Sequence, residues 1–148
     1  MAKLKVMIID DDDVTRGLLC SLLGGAGIFV IEAANGIEGE RLFNQHRPDI
    51  IFTDIFMPDQ DGIQTIINIR RICKTVPIVA MSAGGPERTS DYLNYASRLG
   101  ASHVIGKSFS IREILDVIKR LTKDRMLSSN NRIDKIPTPS NSVHSLMS

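Results

Sequence analysis

Five short apolar runs alternate with five stretches of helical periodicity, and that alternation decides which folds are open to this chain. Val6-Met7-Ile8-Ile9 is short, rich in β-formers and ends abruptly in acid, as a buried parallel strand does. Val14, Leu18, Leu19, Leu22 and Leu23 then recur at helical spacing until Gly24-Gly25-Ala26-Gly27 stops them. Ile28 to Ala33 is a second strand, and Asn35-Gly36 turns the chain into a short helix carrying Ile37, Leu42 and Phe43. Arg47-Pro48 breaks that helix before a third strand, Asp49 to Thr53, which ends at Asp54. A loop with Pro58 and Gly62 leads to a helix from about Ile63 to Cys73, then a fourth strand, Pro77 to Ser82. Gly84-Gly85-Pro86 opens a loop, Glu87 to Leu99 reads as a more polar helix, and Gly100 stops it. His103 to Gly106 is a fifth strand and Ile111 to Leu121 a last amphipathic helix. Strands that alternate with helices in this way predict an α/β, doubly wound parallel sheet with helices on both faces. Its crossovers should be right-handed.

The 148 residues suit one domain, and 43% hydrophobic residues suffice for its core. A formal net charge of +1 supplies no global field for nucleic acid or a membrane surface. Cys20 and Cys73 lie in apolar stretches without metal-ligand or CxxC spacing, so buried free thiols in a reducing compartment are expected. The apolar run after Met1 is too short for a signal peptide or a membrane span, which points to a soluble, cytoplasmic protein. Residues 1–123 are expected to form the domain. From residue 124 to Ser148 the chain turns rich in Ser and Asn, carries Pro137 and Pro139 and has no lasting period, so a flexible tail is expected there.

Ligands of an open parallel sheet bind outside the carboxyl ends of its strands. Here strand one ends in Asp10-Asp11-Asp12-Asp13, strand three in Asp54, strand four in Ser82 and strand five in Lys107. Crowded carboxylates repel one another unless a cation sits among them, and hard oxygen ligands suit Mg²⁺. Asp54 is then a candidate nucleophile toward a phosphoryl group. Lys107 would supply a point charge for phosphoryl oxygens and Ser82 a hydroxyl donor. Taken singly, each residue has a plainer role. A lone Asp, Ser or Lys after a strand is commonplace, and Asp12 and Asp13 read best as caps of the first helix. The convergence of all four strand ends is what favours chemistry.

At these residues the sequence resembles the receiver domain of bacterial response regulators, over roughly residues 4 to 123. The matching stretches are Val6 to Asp12 with Arg16, Ala34 to Glu38, Asp49 to Pro58 with Asp61-Gly62, Pro77 to Ala83, and Gly100-Ala101 through Lys107. The resemblance implies a flavodoxin-like (βα)5 fold with strand order 2-1-3-4-5. It implies that Asp54 is phosphorylated and that Asp10 and Asp11 form the acidic pair. Mg²⁺ would then be held by Asp10, Asp11, Asp54 and the backbone carbonyl of Phe56, with Asp11 binding directly. Ser82 takes the switch-hydroxyl position and Lys107 the lysine position. The implied partners are a histidine kinase or phosphotransfer protein and a downstream protein, with a homodimer as one phosphorylation-dependent outcome. Nucleic acid and membrane are not among them. Such a protein is no enzyme beyond its own phosphorylation and dephosphorylation.

Two positions depart from the family pattern. Ser108 stands where proline usually follows the lysine, and a cis bond costs about 3–4 kcal/mol before residues other than proline. Val104 stands where an aromatic usually swings inward, so that coupling cannot work in its usual form. These departures leave open a second reading, an interaction module that works without phosphorylation. A phosphatase of the haloacid-dehalogenase type would want a second Asp two positions after its nucleophile, where this chain has Phe56.

Overall fold

In a computed structural model of the chain, residues 3–55, 57, 62–82 and 94–123 are described. β1 (Lys5–Ile9), β2 (Phe29–Ala33), β3 (Ile50–Asp54), β4 (Ile78–Ser82) and β5 (His103–Gly106) form one parallel sheet in the order β2-β1-β3-β4-β5. The helices are α1 (Asp13–Gly25), α2 (Gly36–His46), α3 (Gly62–Ile72), α4 (helical over 94–99) and α5 (Ile111–Leu121). This is the flavodoxin-like arrangement expected. The expected tail over 124–148, the first part of the helix expected from Glu87, and Phe56 lie outside the described residues.

Side chains alternate across a strand, so each strand feeds two cores. Val6 and Ile8 of β1 join Leu19 and Leu23 of α1 and Ile114 and Ile118 of α5. Met7 and Ile9 face the other way, among Phe43 of α2 and Ile66 and Ile69 of α3. Two-sided burial explains why β3 and β4 begin as consecutive apolar residues, Ile50 to Phe52 and Ile78 to Met81, although their polar ends at Thr53, Asp54 and Ser82 are buried too.

α1 uses less of its apolar sequence than the spacing suggested. Leu19 and Leu23 are buried, but Val14 is 78% exposed and Leu18 57%. Rows four residues apart share a helix face, and the 14/18 row lies one residue, or about 100°, away from the 19/23 row. Ile37 of α2 likewise points outward. The glycine run ends α1 in a defined manner. Gly27 takes φ +84°, its N–H donates to Gly24 O, and the N–H of Ile28 donates to Leu23 O. Ile28 and Leu23 then pack in the same core, completing a Schellman cap. Both cysteines are free as expected, but half-buried rather than fully buried. Burial, with help from Glu32, pushes the Cys20 thiol up to about 12.

Candidate functional site

The parallel register brings the ends of β1, β3, β4 and β5 to one edge of the sheet. Asp10 follows β1 directly, and its N–H donates to Ala33 O at the end of β2. Its carboxylate is fully buried. Oδ1 accepts from the N–H of Asp12 at 2.9 Å, whereas Oδ2 has no hydrogen bond of good geometry and stands 2.8 Å from Lys107 Nζ. Asp54 ends β3, also buried, with Oδ2 3.2 Å from the same ammonium. One cation thus faces two carboxylates.

The remaining aspartates of the run are sorted by their local geometry. Asp12 is the N-cap of α1, accepting from the N–H of Val14 at 3.1 Å and from Thr15 Oγ1 at 2.6 Å. Those bonds lower its pKa, the Thr15 hydroxyl most. Asp13, in the first turn, pairs with Arg16 Nη2. Asp11 is exposed, yet one carboxylate oxygen from each of Asp10, Asp11 and Asp54 lies within 4.8 Å of the others. Such a donor set fits a hard divalent cation, because the one ammonium of Lys107, shared by Asp10 and Asp54, cannot neutralise all three carboxylates. The fourth expected ligand, the Phe56 carbonyl, lies outside the described residues.

Lys107 is well placed despite Ser108. The Lys107–Ser108 bond is trans, and the Lys107 N–H donates to Ser82 O at 2.9 Å, extending the β4–β5 pairing by one step. Its side chain is 14% exposed. Burial works against its charge, but the close approach of the Asp10 carboxylate and the charges of Asp54 and Asp10 outweigh it and raise the pKa. Ser82 closes β4, 1% exposed, one residue beyond the Met81 that pairs with Asp54. The structure therefore brings Asp10, Asp11, Asp54 and Lys107 together and sets Ser82 on the neighbouring strand end. Val104 is half-buried against the core that holds Ala80, Ala96 and Ala101, with no ring to move.

Two groups of contacts went unread in the sequence, one at Arg16 and one just after β3. Arg16 donates through Nη1 to the backbone carbonyl of Asp10 at 2.6 Å and through Nε to Glu32 at 3.3 Å, besides pairing with Asp13. The Asp13-to-Arg16 spacing on one helix was a signal for part of this. Thr53 Oγ1 donates to Asp54 O at 3.1 Å, and Gly62 N–H to Ile55 O at 2.9 Å, fastening the backbone just after β3. Nothing in the sequence marked Thr53.

Comparison with known proteins agrees with this geometry. Residues 6–119 match the family model for the response regulator receiver domain. Sporulation initiation phosphotransferase F of Bacillus subtilis is 30% identical over 116 residues, 78% of this chain and 91% of that protein. A probable transcriptional regulator, ycf27 of Guillardia theta, is 34% identical over 131 residues, which are 86% of this chain but 50% of that protein. Among solved structures, chemotaxis protein CheY4 of Vibrio cholerae superposes with a TM-score of 0.73 at 27% identity, over 81% of this chain and 99% of that one. No helix among the described residues is long and apolar enough to cross a membrane. A matched family model over most of the chain, on a sheet whose strand ends gather three aspartates and a lysine, places it: the chain belongs to the response regulator receiver domain family, as a signalling receiver of two-component systems and not a classical enzyme.

Proposed function

We propose that this receiver is a phosphoacceptor: Asp54 takes a phosphoryl group from a phosphohistidine of a histidine kinase or phosphotransfer protein. The observation that carries this reading is Lys107 facing the carboxylates of both Asp10 and Asp54, with Asp11 completing an oxygen cluster beside them. A carboxylate oxygen of Asp54 attacks phosphorus. The P–N bond to the donor imidazole breaks, and its electron pair leaves on the ring nitrogen. Lys107 neutralises charge on the transferring group, and Ser82 offers a hydroxyl to one of its oxygens. Asp10, Asp11, Asp54 and the Phe56 carbonyl would hold Mg²⁺, which supplies charge neutralisation for the phosphoryl oxygens.

The phosphorylated form signals by a changed protein-binding surface, in the cytoplasm, without nucleic acid or membrane as direct partners. A homodimer is one form that surface change can take. The domain spans residues 1–123, with 124–148 as an appended tail. Transcriptional regulation is a property of a relative of which this chain matches half, and it is not carried over.

Incubation with Mg²⁺ and acetyl phosphate, followed by intact-mass analysis, tests the reading. The native chain should gain one phosphoryl group, Asp54→Asn none, and Asp11→Asn far less, since it removes a charged ligand from a carboxylate site. Full labelling of Asp54→Asn would sink the assignment. A native chain that is folded, binds Mg²⁺ and yet takes no label would favour a module working without phosphorylation.

A further inference from the structure

We infer that Gly62 is a positioning residue for the phosphoacceptor, a role that rests on the reading of Asp54 given above. The backbone after β3 is held from three sides. Ile55 N–H donates to Met81 O at 3.0 Å, Ile55 O accepts from Gly62 N–H at 2.9 Å, and Asp54 O accepts the Thr53 hydroxyl at 3.1 Å. Gly62 opens α3 directly against this segment. A Cβ at Gly62 would lie 2.6 Å from Ile55 Cα and 2.9 Å from the Asp54 carbonyl carbon, and closer still to the Asp54 carbonyl oxygen. Those neighbours are backbone atoms, so no side chain can swing aside to admit a methyl group. Gly62 thus supplies the absence of a side chain, which lets α3 bear on the peptide of the phosphoacceptor itself.

The consequence is geometric. Added volume at Gly62 must move either the first turn of α3 or the Asp54–Ile55 peptide. The second movement carries the Asp54 carboxylate away from Lys107, 3.2 Å distant, and out of the oxygen cluster with Asp10 and Asp11. Metal affinity and transfer rate both depend on that placement, because misplacement by about 1 Å can cost on the order of 100-fold. Among the described glycines this contact is distinctive. The space at Gly39 is limited by the Ile9 side chain and that at Gly100 by Arg70, and both of those neighbours can give.

The experiment compares Gly62→Ala with Gly100→Ala on the full chain. Gly100 has φ +124° and packs on Arg70, so its substitution destabilises the fold at a place with no contact to Asp54. Gly62→Ala should weaken Mg²⁺ binding, read by calorimetry, and slow labelling at saturating Mg²⁺, each ~10–100-fold. It should also shift the ¹³Cγ resonance of Asp54 in the metal-free protein. Gly100→Ala, although less heat-stable, should leave all three readouts close to those of the native chain. Equal losses in the two variants, or native behaviour of a folded Gly62→Ala, would overturn the proposal. Should Gly62→Ala not fold, the native protein still decides. Titrating Mg²⁺ into the native protein should move the Gly62 amide cross-peak with the same midpoint as the Asp54 ¹³Cγ signal and leave that of Gly100 in place; an unmoved Gly62 would overturn the role. A native chain that takes no label, yet shows the ¹³Cγ shift in Gly62→Ala, would keep this placement and reject the phosphoacceptor reading instead.

Discussion

Lys107 Nζ stands 2.8 Å from Oδ2 of Asp10, a fully buried oxygen with no hydrogen bond of good geometry. A carboxylate out of water needs a compensating charge, and breaking such a pair from one side costs more than the pair is worth. Since Asp54 shares the same ammonium, Lys107 is what holds the metal-free acidic site together.

Replacing Lys107 by Met should therefore destabilise the metal-free protein by ~3 kcal/mol, the low end for an orphaned buried charge. A divalent cation among Asp10, Asp11 and Asp54 would supply the missing charge. Saturating Mg²⁺ should then raise the melting temperature of Lys107→Met by more than it raises that of the native chain. Equal gains in the two proteins would mean that lysine and metal do not serve the same carboxylates.

Asp12 and Asp13 differ in what they hold, although they are adjacent in sequence. Asp12 caps α1 through Val14 N–H and Thr15 Oγ1, whereas Asp13 is an exposed partner of Arg16. Asp12→Ala should lower the urea midpoint through loss of the N-cap, and Asp13→Ala should lower it by less than half as much. Urea unfolding of the two variants measures the difference, and neither should abolish labelling of Asp54.

The strands and helices were legible because two-sided burial gives β1, β3 and β4 each a run of three or four consecutive apolar residues, and glycine or proline marks most of the ends. The acidic pair, Asp54, Ser82 and Lys107 were legible because strand ends of a parallel sheet converge by topology. Individual helix faces were less so. Periodicity placed Val14 and Leu18 with the core residues of α1, but a helix of given length can bury only one stripe, and tertiary packing chose the 19/23 row. Ser108 was a poor guide for a different reason. The position of Lys107 is set by the pairing of its N–H with Ser82 O, which does not depend on the residue that follows.

His103 gives the fold a pH dependence away from the acidic site. It lies on β5 and accepts from Arg120 of α5, Nη2 to Nδ1 3.1 Å. Burial lowers its pKa below the ordinary 6.5, Arg120 lowers it further, and Glu113 opposes only in part. The unfolded chain thus binds this proton more readily than the folded one, so stability rises with pH across that interval. The contribution is complete above pH 6.5 and is lost as pH falls through the lower, folded value. His103→Gln should flatten the slope of stability against pH below 6.5; a slope identical to that of the native chain would assign the effect elsewhere.

Arg16 separates charge from position at the proposed metal site. Its guanidinium reaches the Asp10 carbonyl, the Asp13 carboxylate and Glu32 at once, tying the loop after β1 to α1 and β2. By charge alone, a cation near the acidic cluster opposes Mg²⁺, so Arg16→Gln should tighten metal binding. By position, the same variant frees the Asp10 backbone and lets the ligands drift. Loss of a residue that orients metal ligands usually costs on the order of 10-fold in affinity, and that effect should win here. Arg16→Lys keeps the charge but cannot present the planar fork that reaches three acceptors. Both variants should therefore bind Mg²⁺ more weakly, ~10-fold for Gln and somewhat less for Lys. Tighter binding by Arg16→Gln, with Arg16→Lys unchanged, would show that Arg16 acts through its charge and not through the loop it holds.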